Sequence, residues 1–131
     1  MKRMTDKERQ EFKNLLLLEM TRHVGASARI GMGELYETVF GDVYNHRIND
    51  TRKLRTLISE LRQDGVAICS SASNSRGGYW LASAGSELTD YCGKLRSRAL
   101  KLLAQEATLR KMTLPELAGQ VSLELSKGGE A

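Results

Sequence analysis

The sequence has no long hydrophobic run. Its longest purely apolar stretch is residues 15–18, whereas a helix that spans a bilayer needs roughly 20 apolar residues. The charged beginning, MKRMTDKERQEFK, leads into no apolar signal-peptide segment. We therefore expect a cytoplasmic protein that has no membrane partner.

Cysteine and aromatic residues are also scarce. The two cysteines, Cys69 and Cys92, form no CxxC pair and lack clustered histidines, which argues against a zinc site or a disulfide framework. We predict that both are buried thiols. Aromatic residues make up 5% of the chain and form no evident stacking platform, so binding of single-stranded DNA or RNA is a third and less favoured option. The sequence therefore predicts no metal and no cofactor, and nothing in it indicates a small-molecule ligand.

Catalytic motifs are missing as well. His23 and His46 lie in different segments, and no serine or cysteine occupies an elbow-like turn. The GMG triplet at 31–33 lacks the third glycine and the preceding strand of a dinucleotide-binding loop, and the chain contains no P-loop. We predict that the protein is not an enzyme.

Positive charge is present and unevenly distributed. The net charge is +4 and the sequence pI is near 9.2, which favours a polyanionic partner. Residues 14–45 hold more acidic than basic side chains, whereas residues 46–63 hold only Asp50 and Glu60 as acids. The basic residues of that second segment are Arg47, Arg52, Lys53, Arg55 and Arg62.

The first third of the chain predicts two helices. Thr5 to Glu8 form a capping box, and a run with helical spacing follows, ending at Gly25. Its apolar residues are Phe12, Leu15, Leu16, Met20 and Val24. ARIGM, residues 28–32, predicts an extended piece or short strand, and GELYETVFG, residues 33–41, predicts a compact helix.

The segment NDTRKLRTLISELRQDG, residues 49–65, predicts a third helix with two different faces. Asn49 or Asp50 would cap its beginning, and Asp64-Gly65 would end it. The buried stripe consists of Leu54, Leu57, Ile58 and Leu61. The outer face consists of Thr51, Arg52, Arg55, Thr56, Ser59 and Arg62, with Lys53 at its margin.

A β-hairpin is expected next, with strands at 66–71 and 78–82. The loop between them is small and polar and contains Asn74, Ser75 and Arg76. Tyr79 and Trp80 are adjacent in a strand and must point to opposite faces. We predict that Trp80 packs inside.

A long helix is predicted over residues 86–112, with a cap at Ser86, and Gly85 before it is the expected domain boundary, separating 1–84 from 85–131. Alternating steps of four and three form a heptad seam interrupted at Glu106. Its other members are Leu88, Cys92, Leu95, Ala99, Leu102 and Leu109. At 1.5 Å per residue the helix reaches roughly 40 Å, which is longer than a domain of this size needs for its own core. We therefore predict a homodimer through this seam; packing of the seam onto the first or the last helix of the same chain is the alternative. TLPE, residues 113–116, caps a short last helix that is expected to end before residue 126.

Residues 5–82 follow the element order of the winged helix DNA-binding family and resemble it. The runs LISELRQDGVAI, RGGYWLA and SELTDYCGKLRSRALKLL also resemble small prophage-encoded proteins of this architecture. The resemblance implies a mostly α fold with a small β-hairpin, that is, a winged helix with a long C-terminal helical extension. In that family the third helix enters the DNA major groove, and the hairpin loop, called the wing, contacts the backbone or the minor groove.

The resemblance implies sequence-specific binding of double-stranded DNA by a dimeric transcriptional or replication regulator. The expected base-reading residues are Arg52, Arg55 and Thr56, with Thr51 and Ser59 on the same face. Residues expected to hold phosphates are Arg47, Lys53 and Arg62, and the wing residues are Asn74, Ser75 and Arg76. The alternative is a protein-interaction module, a phage-type inhibitor or adaptor that uses the same fold as a scaffold.

Overall fold

Helices dominate the computed structural model, which describes residues 4–44, 47–72 and 77–128. The elements are α1 (Asp6–Met20), a 3-10 turn (Ala26–Ala28), α2 (Met32–Phe40), α3 (Arg47–Gln63), β1 (Ile68–Ser71), β2 (Gly78–Leu81), α4 (Gly85–Leu109) and α5 (Leu114–Gly128). The strands form a two-stranded antiparallel hairpin. The expected mixture of many helices and one small hairpin is therefore confirmed.

The chain divides into two compact units, Met1–Thr89 and Asp90–Ala131. The division falls inside α4, a few residues after the boundary expected at Gly85. The first unit contains the three-helix core and the hairpin, and the second contains most of α4 and all of α5.

The beginning of α1 was predicted correctly, but its end was not. Thr5 Oγ1 accepts a hydrogen bond from the backbone N–H of Glu8 at 3.1 Å, and Glu8 Oε1 accepts one from the Thr5 N–H at 3.3 Å. The helix ends at Met20 rather than at Gly25. Gly25 lies in the following turn at a φ of 91°, where its N–H donates to the carbonyl oxygen of Leu81 at 2.7 Å. Backbone bonding to the hairpin therefore replaces continuation of the helix.

The core of the first unit lies among α1, α2 and α3. The stripe predicted for α3 is confirmed, because each of its four residues is at most 4% exposed. Burial of each such side chain stabilises the fold by about 1.5–3 kcal/mol. Leu16 and Met20 of α1 and Leu35 of α2 are 0% exposed in the same cluster, so α3 is held against both preceding helices.

The first turn of α3 differs from the prediction. The helix begins at Arg47, so Asn49 and Asp50 lie inside it and neither is its cap. Asp50 instead interacts with Tyr36 of α2: burial raises the pKa of the Tyr36 hydroxyl, and the charge and hydrogen bond of the Asp50 carboxylate raise that pKa further. A carboxylate in the first turn also suits the helix dipole. The tertiary partner and the dipole thus explain this acid without a capping role.

The hairpin is shorter than predicted, and Ile30, from the segment before α2, pairs with its second strand. Ile68 pairs with Leu81 and Ser71 with Gly78 at its two ends. Ile30 and Tyr79 exchange two backbone hydrogen bonds of 2.9 Å each. The extended piece expected at 28–32 is therefore reduced to a single bridge between the 3-10 turn and α2.

Both faces of β2 are covered. Trp80 is buried as predicted, at 7% exposure, and the Arg29 guanidinium lies 4.6 Å from its ring centroid. Tyr79 is also buried and belongs to the helical core cluster. Of the two cysteines, Cys69 is buried as expected, but Cys92 is exposed on α4, so the prediction of two buried thiols is wrong for Cys92.

The α4 helix begins one residue earlier and ends three residues earlier than predicted. Ser86 lies inside the helix and does not cap it; instead the Glu87 carboxylate accepts hydrogen bonds from the backbone N–H and hydroxyl of Ser83 at 3.3 and 3.2 Å. Burial raises the pKa of Glu87, but these bonds, and one from the Ala26 N–H, outweigh that effect, so the pKa lies below its ordinary value. The carboxylate thereby holds the first turn of α4, which belongs to the first unit, to Ser83 and Ala26.

The end of α4 is fixed by a left-handed residue. Lys111 adopts a φ of 57°, and the N–H groups of Lys111 and Met112 donate to the carbonyls of Thr108 and Ala107 at 3.1 and 3.0 Å. This is a Schellman motif, which satisfies the last carbonyls of a helix and stops it. The heptad pattern alone did not reveal that stop.

The α5 helix has the predicted cap but is longer than predicted. Thr113 Oγ1 accepts a hydrogen bond from the Glu116 N–H at 3.2 Å, and Glu116 Oε1 accepts one from the Thr113 N–H at 3.4 Å. The helix continues to Gly128. Leu117, in the first turn of the helix, is buried. Leu125, near the end of the helix, is 70% exposed and does not belong to a core.

Candidate nucleic-acid interface

An open groove of about 860 Å³ runs beside the outer face of α3. It is lined by Met32, Tyr44, Thr51, Arg52, Arg55, Thr56, Ser59, Glu60 and Gln63. We call this the α3 groove. Five of the residues that the sequence predicted for DNA binding, at positions 51, 52, 55, 56 and 59, are brought together here.

The groove residues project from a helix whose opposite face is immobilised. Arg52, Arg55, Thr56 and Ser59 are exposed, whereas the α3 residues that point inward are at most 4% exposed. Successive groove positions follow helical spacing, so their side chains lie on one stripe. The helix therefore presents its polar stripe from a packed support.

Two residues of α1 form ion pairs with an acidic residue near the end of α3 and with another directly after it. Arg9 Nη1 lies 3.4 Å from Glu60 Oε1, and Lys13 Nζ lies 3.2 Å from Asp64 Oδ2. Such partly exposed pairs contribute little to stability, but they offset the negative charge beside the groove. Within the described residues no acid lies within 4.0 Å of the charged groups of Arg52 or Arg55.

Tyr44 forms one wall of the groove and was not predicted as a site residue. Its hydroxyl and Thr51 Oγ1 are 2.8 Å apart, and its backbone N–H donates to Glu37 Oε1 at 3.1 Å. Its ring meets the ring of Tyr36 edge-on at 5.7 Å. Tyr44 lies in an irregular connection, where no periodic pattern indicates which way a side chain points.

Gln63 was also missed, although the sequence contained the signal. It follows Ser59 by four residues and Thr56 by seven, so it continues the same stripe.

The Thr56 hydroxyl donates to the Arg52 carbonyl oxygen at 2.9 Å. That bond turns the hydroxyl back onto the helix backbone.

Two basic residues that were expected to hold phosphates have other contacts. The Lys53 ammonium lies 4.6 Å from the centroid of the Phe40 ring and 5.9 Å from that of Tyr36, on the flank that faces α2. Arg62 reaches the hairpin: its Nε donates to the Ile68 carbonyl oxygen at 2.8 Å, and its Nη2 donates to Ser70 Oγ at 3.1 Å. Neither residue lines the α3 groove.

Four further residues were predicted to bind DNA. The Arg47 side chain lies outside the described residues, as do Asn74, Ser75 and Arg76 of the hairpin loop. The candidate site on the described chain is therefore the α3 groove alone, with Arg52 and Arg55 as its cations.

Other kinds of site find no support in the described ranges. No group of three or more His, Cys, Asp or Glu side chains there could hold a metal ion. None of the helices described combines the length and the apolar character that crossing a membrane requires. No family model, curated protein or solved structure matches the chain.

Proposed function

We propose that the protein binds double-stranded DNA through the α3 groove and acts as a small transcriptional or replication regulator. The observation that carries the proposal is that Arg52 and Arg55 project together from a helix whose other face is buried. An α-helix fits the major groove, and arginine can donate two hydrogen bonds to guanine. The two arginines are thus the proposed base-reading residues.

The arrangement of elements supports a winged helix for the first unit. Three helices are followed by a hairpin, and Ile30, between α1 and α2, bonds to β2 as an additional extended residue. In that family the third helix reads the major groove and the hairpin loop contacts the adjacent backbone. This order would assign reading to α3 and wing contacts to the loop between β1 and β2.

The contacts of the other basic residues refine the proposal. Lys53 and Arg62 stabilise the position of α3 against α2 and β1, so their substitution would disturb the fold as well as any binding. We therefore assign base reading to Arg52 and Arg55, and assign hydrogen bonding to Ser59 and Gln63. Ser59 and Gln63 carry no charge and can pair with base edges or phosphates.

The test is selection of bound sequences from a random duplex pool, followed by binding measurements on the selected site. Arg52→Ala or Arg55→Ala should weaken binding to that site by about 1–3 kcal/mol and relax preference at one base pair. Arg22→Ala is the matched control: Arg22 is 73% exposed on the turn after α1 and does not line the groove. It should leave both affinity and preference nearly unchanged.

Two outcomes would contradict the proposal. If no sequence is enriched from the duplex pool, the protein does not bind DNA sequence-specifically. If Arg52→Ala weakens the affinity for all sequences equally, Arg52 contacts phosphate and does not read a base. The alternative, an interaction module that docks an acidic protein on the groove, predicts that the groove variants leave duplex binding unchanged. Parallel assays with duplex, single-stranded DNA and RNA separate these cases, and salt titration alone does not, because each is electrostatic.

A further inference from the structure

The α4 helix carries a concentration of positive charge on its exposed surface. Residues 91–105 hold four basic side chains and no acidic one. Three of the four follow one another at steps of four and three residues, which places them on one side of the helix. We call these three residues, Lys94, Arg98 and Lys101, the α4 basic stripe. All three are exposed.

The protein does not neutralise the α4 basic stripe with its own acids. Across the part of the chain that the structure describes, no acidic group lies within 4.0 Å of the three charged groups. Asp90 comes one turn before Lys94 but forms no ion pair with it there. Arg110 of the same helix, by contrast, has its Nε 2.8 Å from Glu106 Oε2. Within the described chain, the stripe is therefore a run of unpaired positive charge.

This run of like charge is unfavourable for the helix itself. Like charges three or four residues apart on a helix repel each other, and Arg98 has such a neighbour on each side, Lys94 and Lys101. A surface that serves only solubility has both signs of charge interspersed. A bound polyanion relieves the repulsion, so the stripe favours a partner that carries several negative charges in a row.

The length of the stripe matches a short run of DNA phosphates. Lys94 and Lys101 are seven residues apart, which corresponds to about 10 Å along the helix. Each strand of a DNA duplex carries one phosphate per roughly 3.4 Å of its axis, so the same length offers about three phosphates on a strand. Lysine is a compact point charge that binds phosphate, and such contacts carry no sequence information.

We propose that the α4 basic stripe is a second contact to double-stranded DNA, made to phosphates. The inference rests on the proposed function for the identity of the polyanion. It gives the two units different tasks. Arg52 and Arg55 of the first unit read bases, whereas the stripe, in the second unit, adds affinity that is independent of sequence and falls steeply with salt.

Beside the stripe lies the seam that the sequence predicted for dimerisation. Its residues are also exposed: Leu88, Cys92, Leu95, Ala99, Leu102 and Leu109. Nothing in the described residues shows what covers this apolar side of α4, so the homodimer stays a prediction.

The first test measures the affinity of the full-length chain for the selected duplex over a salt series. Each lost phosphate contact makes the slope of log K against log salt concentration shallower by about 0.9. The triple variant Lys94→Gln, Arg98→Gln, Lys101→Gln should therefore have a slope shallower by about 2.7. Between about 50 and 200 mM salt, the wild-type affinity should fall roughly fortyfold more than that of the variant. Selection from the random pool should return the same sequence for both chains.

Arg96→Gln is the matched control for Arg98→Gln. Each substitution removes one arginine charge from an exposed position of α4. Arg96 lies two residues before Arg98 and therefore on nearly the opposite side of the helix. Arg98→Gln should make the slope shallower by about 0.9, and Arg96→Gln should leave it unchanged. Because loss of a like charge relieves repulsion, thermal unfolding should show no loss of stability in the stripe variants.

A duplex of unselected sequence separates this inference from the proposed function. Base reading contributes nothing on such a duplex, whereas phosphate contacts remain. If Arg52→Ala and Arg55→Ala cause no loss on the selected duplex but the triple variant loses slope on both duplexes, base reading by α3 fails and the stripe contact stands. If Arg52→Ala and Arg55→Ala weaken binding but the triple variant keeps the wild-type slope, the stripe contact fails and base reading stands.

The other outcomes also overturn the stripe contact. Equal slopes for Arg98→Gln and Arg96→Gln would mean that only the net charge of the chain matters. A different selected sequence for the triple variant would mean that the stripe reads bases. Unchanged duplex binding, together with lost binding to vesicles of anionic lipid, would assign the stripe to a membrane surface. A wild-type chain that binds no duplex at low salt would remove both DNA contacts.

Discussion

Gly78 offers a sharp test of how the hairpin is attached to the helical core. A Cβ atom at this position would lie 2.6 Å from the carbonyl oxygen of Ile30 and 3.0 Å from its carbonyl carbon. Both are backbone atoms, so no side-chain rotation can relieve the clash. Gly78→Ala should therefore push β2 away from Ile30 and break the two hydrogen bonds of 2.9 Å between Ile30 and Tyr79.

The size of the effect follows from those two bonds. A backbone hydrogen bond contributes about 0.5–1.5 kcal/mol net, so losing two should cost about 2 kcal/mol. For a unit of this size, that corresponds to a fall in Tm of roughly 8–16 °C. Thermal and urea unfolding followed by the fluorescence of Trp80, which lies in β2, should report the loss directly.

Gly85→Ala is the control for the Gly78 substitution. Gly85 is the first residue of α4, and a Cβ there would meet nothing within 4 Å. The unfolding free energy of Gly85→Ala should therefore stay within about 0.5 kcal/mol of the wild-type value. If Gly78→Ala were as stable as Gly85→Ala, the close approach of β2 to Ile30 would be wrong.

Three further substitutions test local features. Glu87→Gln removes a carboxylate whose pKa is lowered in the folded state. The stabilisation that this carboxylate contributes is present above the unfolded pKa of 4.5 and is lost as the pH falls through the folded pKa. The difference in urea midpoint between wild type and variant should therefore be larger at about pH 6 than at about pH 3. Arg62→Met leaves the Ile68 carbonyl without its 2.8 Å donor and should cost about 1–3 kcal/mol in urea unfolding. Lys111→Gly removes the strain of a left-handed lysine and should raise the unfolding free energy by roughly 0.5–1 kcal/mol.

Local signals in the sequence predicted two of the helix caps, at Thr5 and Thr113, and the buried stripe of α3. The capping boxes that start at Thr5 and Thr113 need only side chains three residues apart. The stripe of α3 needs only apolar residues at helical spacing. In each case the interacting groups lie within a few turns of one helix, so no knowledge of the rest of the fold is required.

Long-range contacts explain what the sequence did not predict. Asp50 was taken for a cap because its partner, Tyr36, is remote in sequence. Periodicity assigned Arg62 to the outer face, but a long side chain at the edge of that face can reach a neighbouring strand, as Arg62 does at Ile68. Lys53 likewise extends over Phe40. Helical spacing fixes where a side chain leaves the backbone, and the reach of arginine and lysine decides what it contacts.

The basic residues of α3 differ in their contacts, and this difference decides how a loss of binding in each variant can be interpreted. Arg52 and Arg55 are exposed and have no ion pair in the described chain, so their replacement should change stability by no more than about 0.5 kcal/mol. A loss of binding in those variants therefore reports on the groove. Replacing Lys53 or Arg62 also removes contacts that hold α3 against α2 and β1, so a loss of binding there has two possible causes. The proposal must therefore be judged on Arg52 and Arg55, with unfolding measured beside binding for each variant.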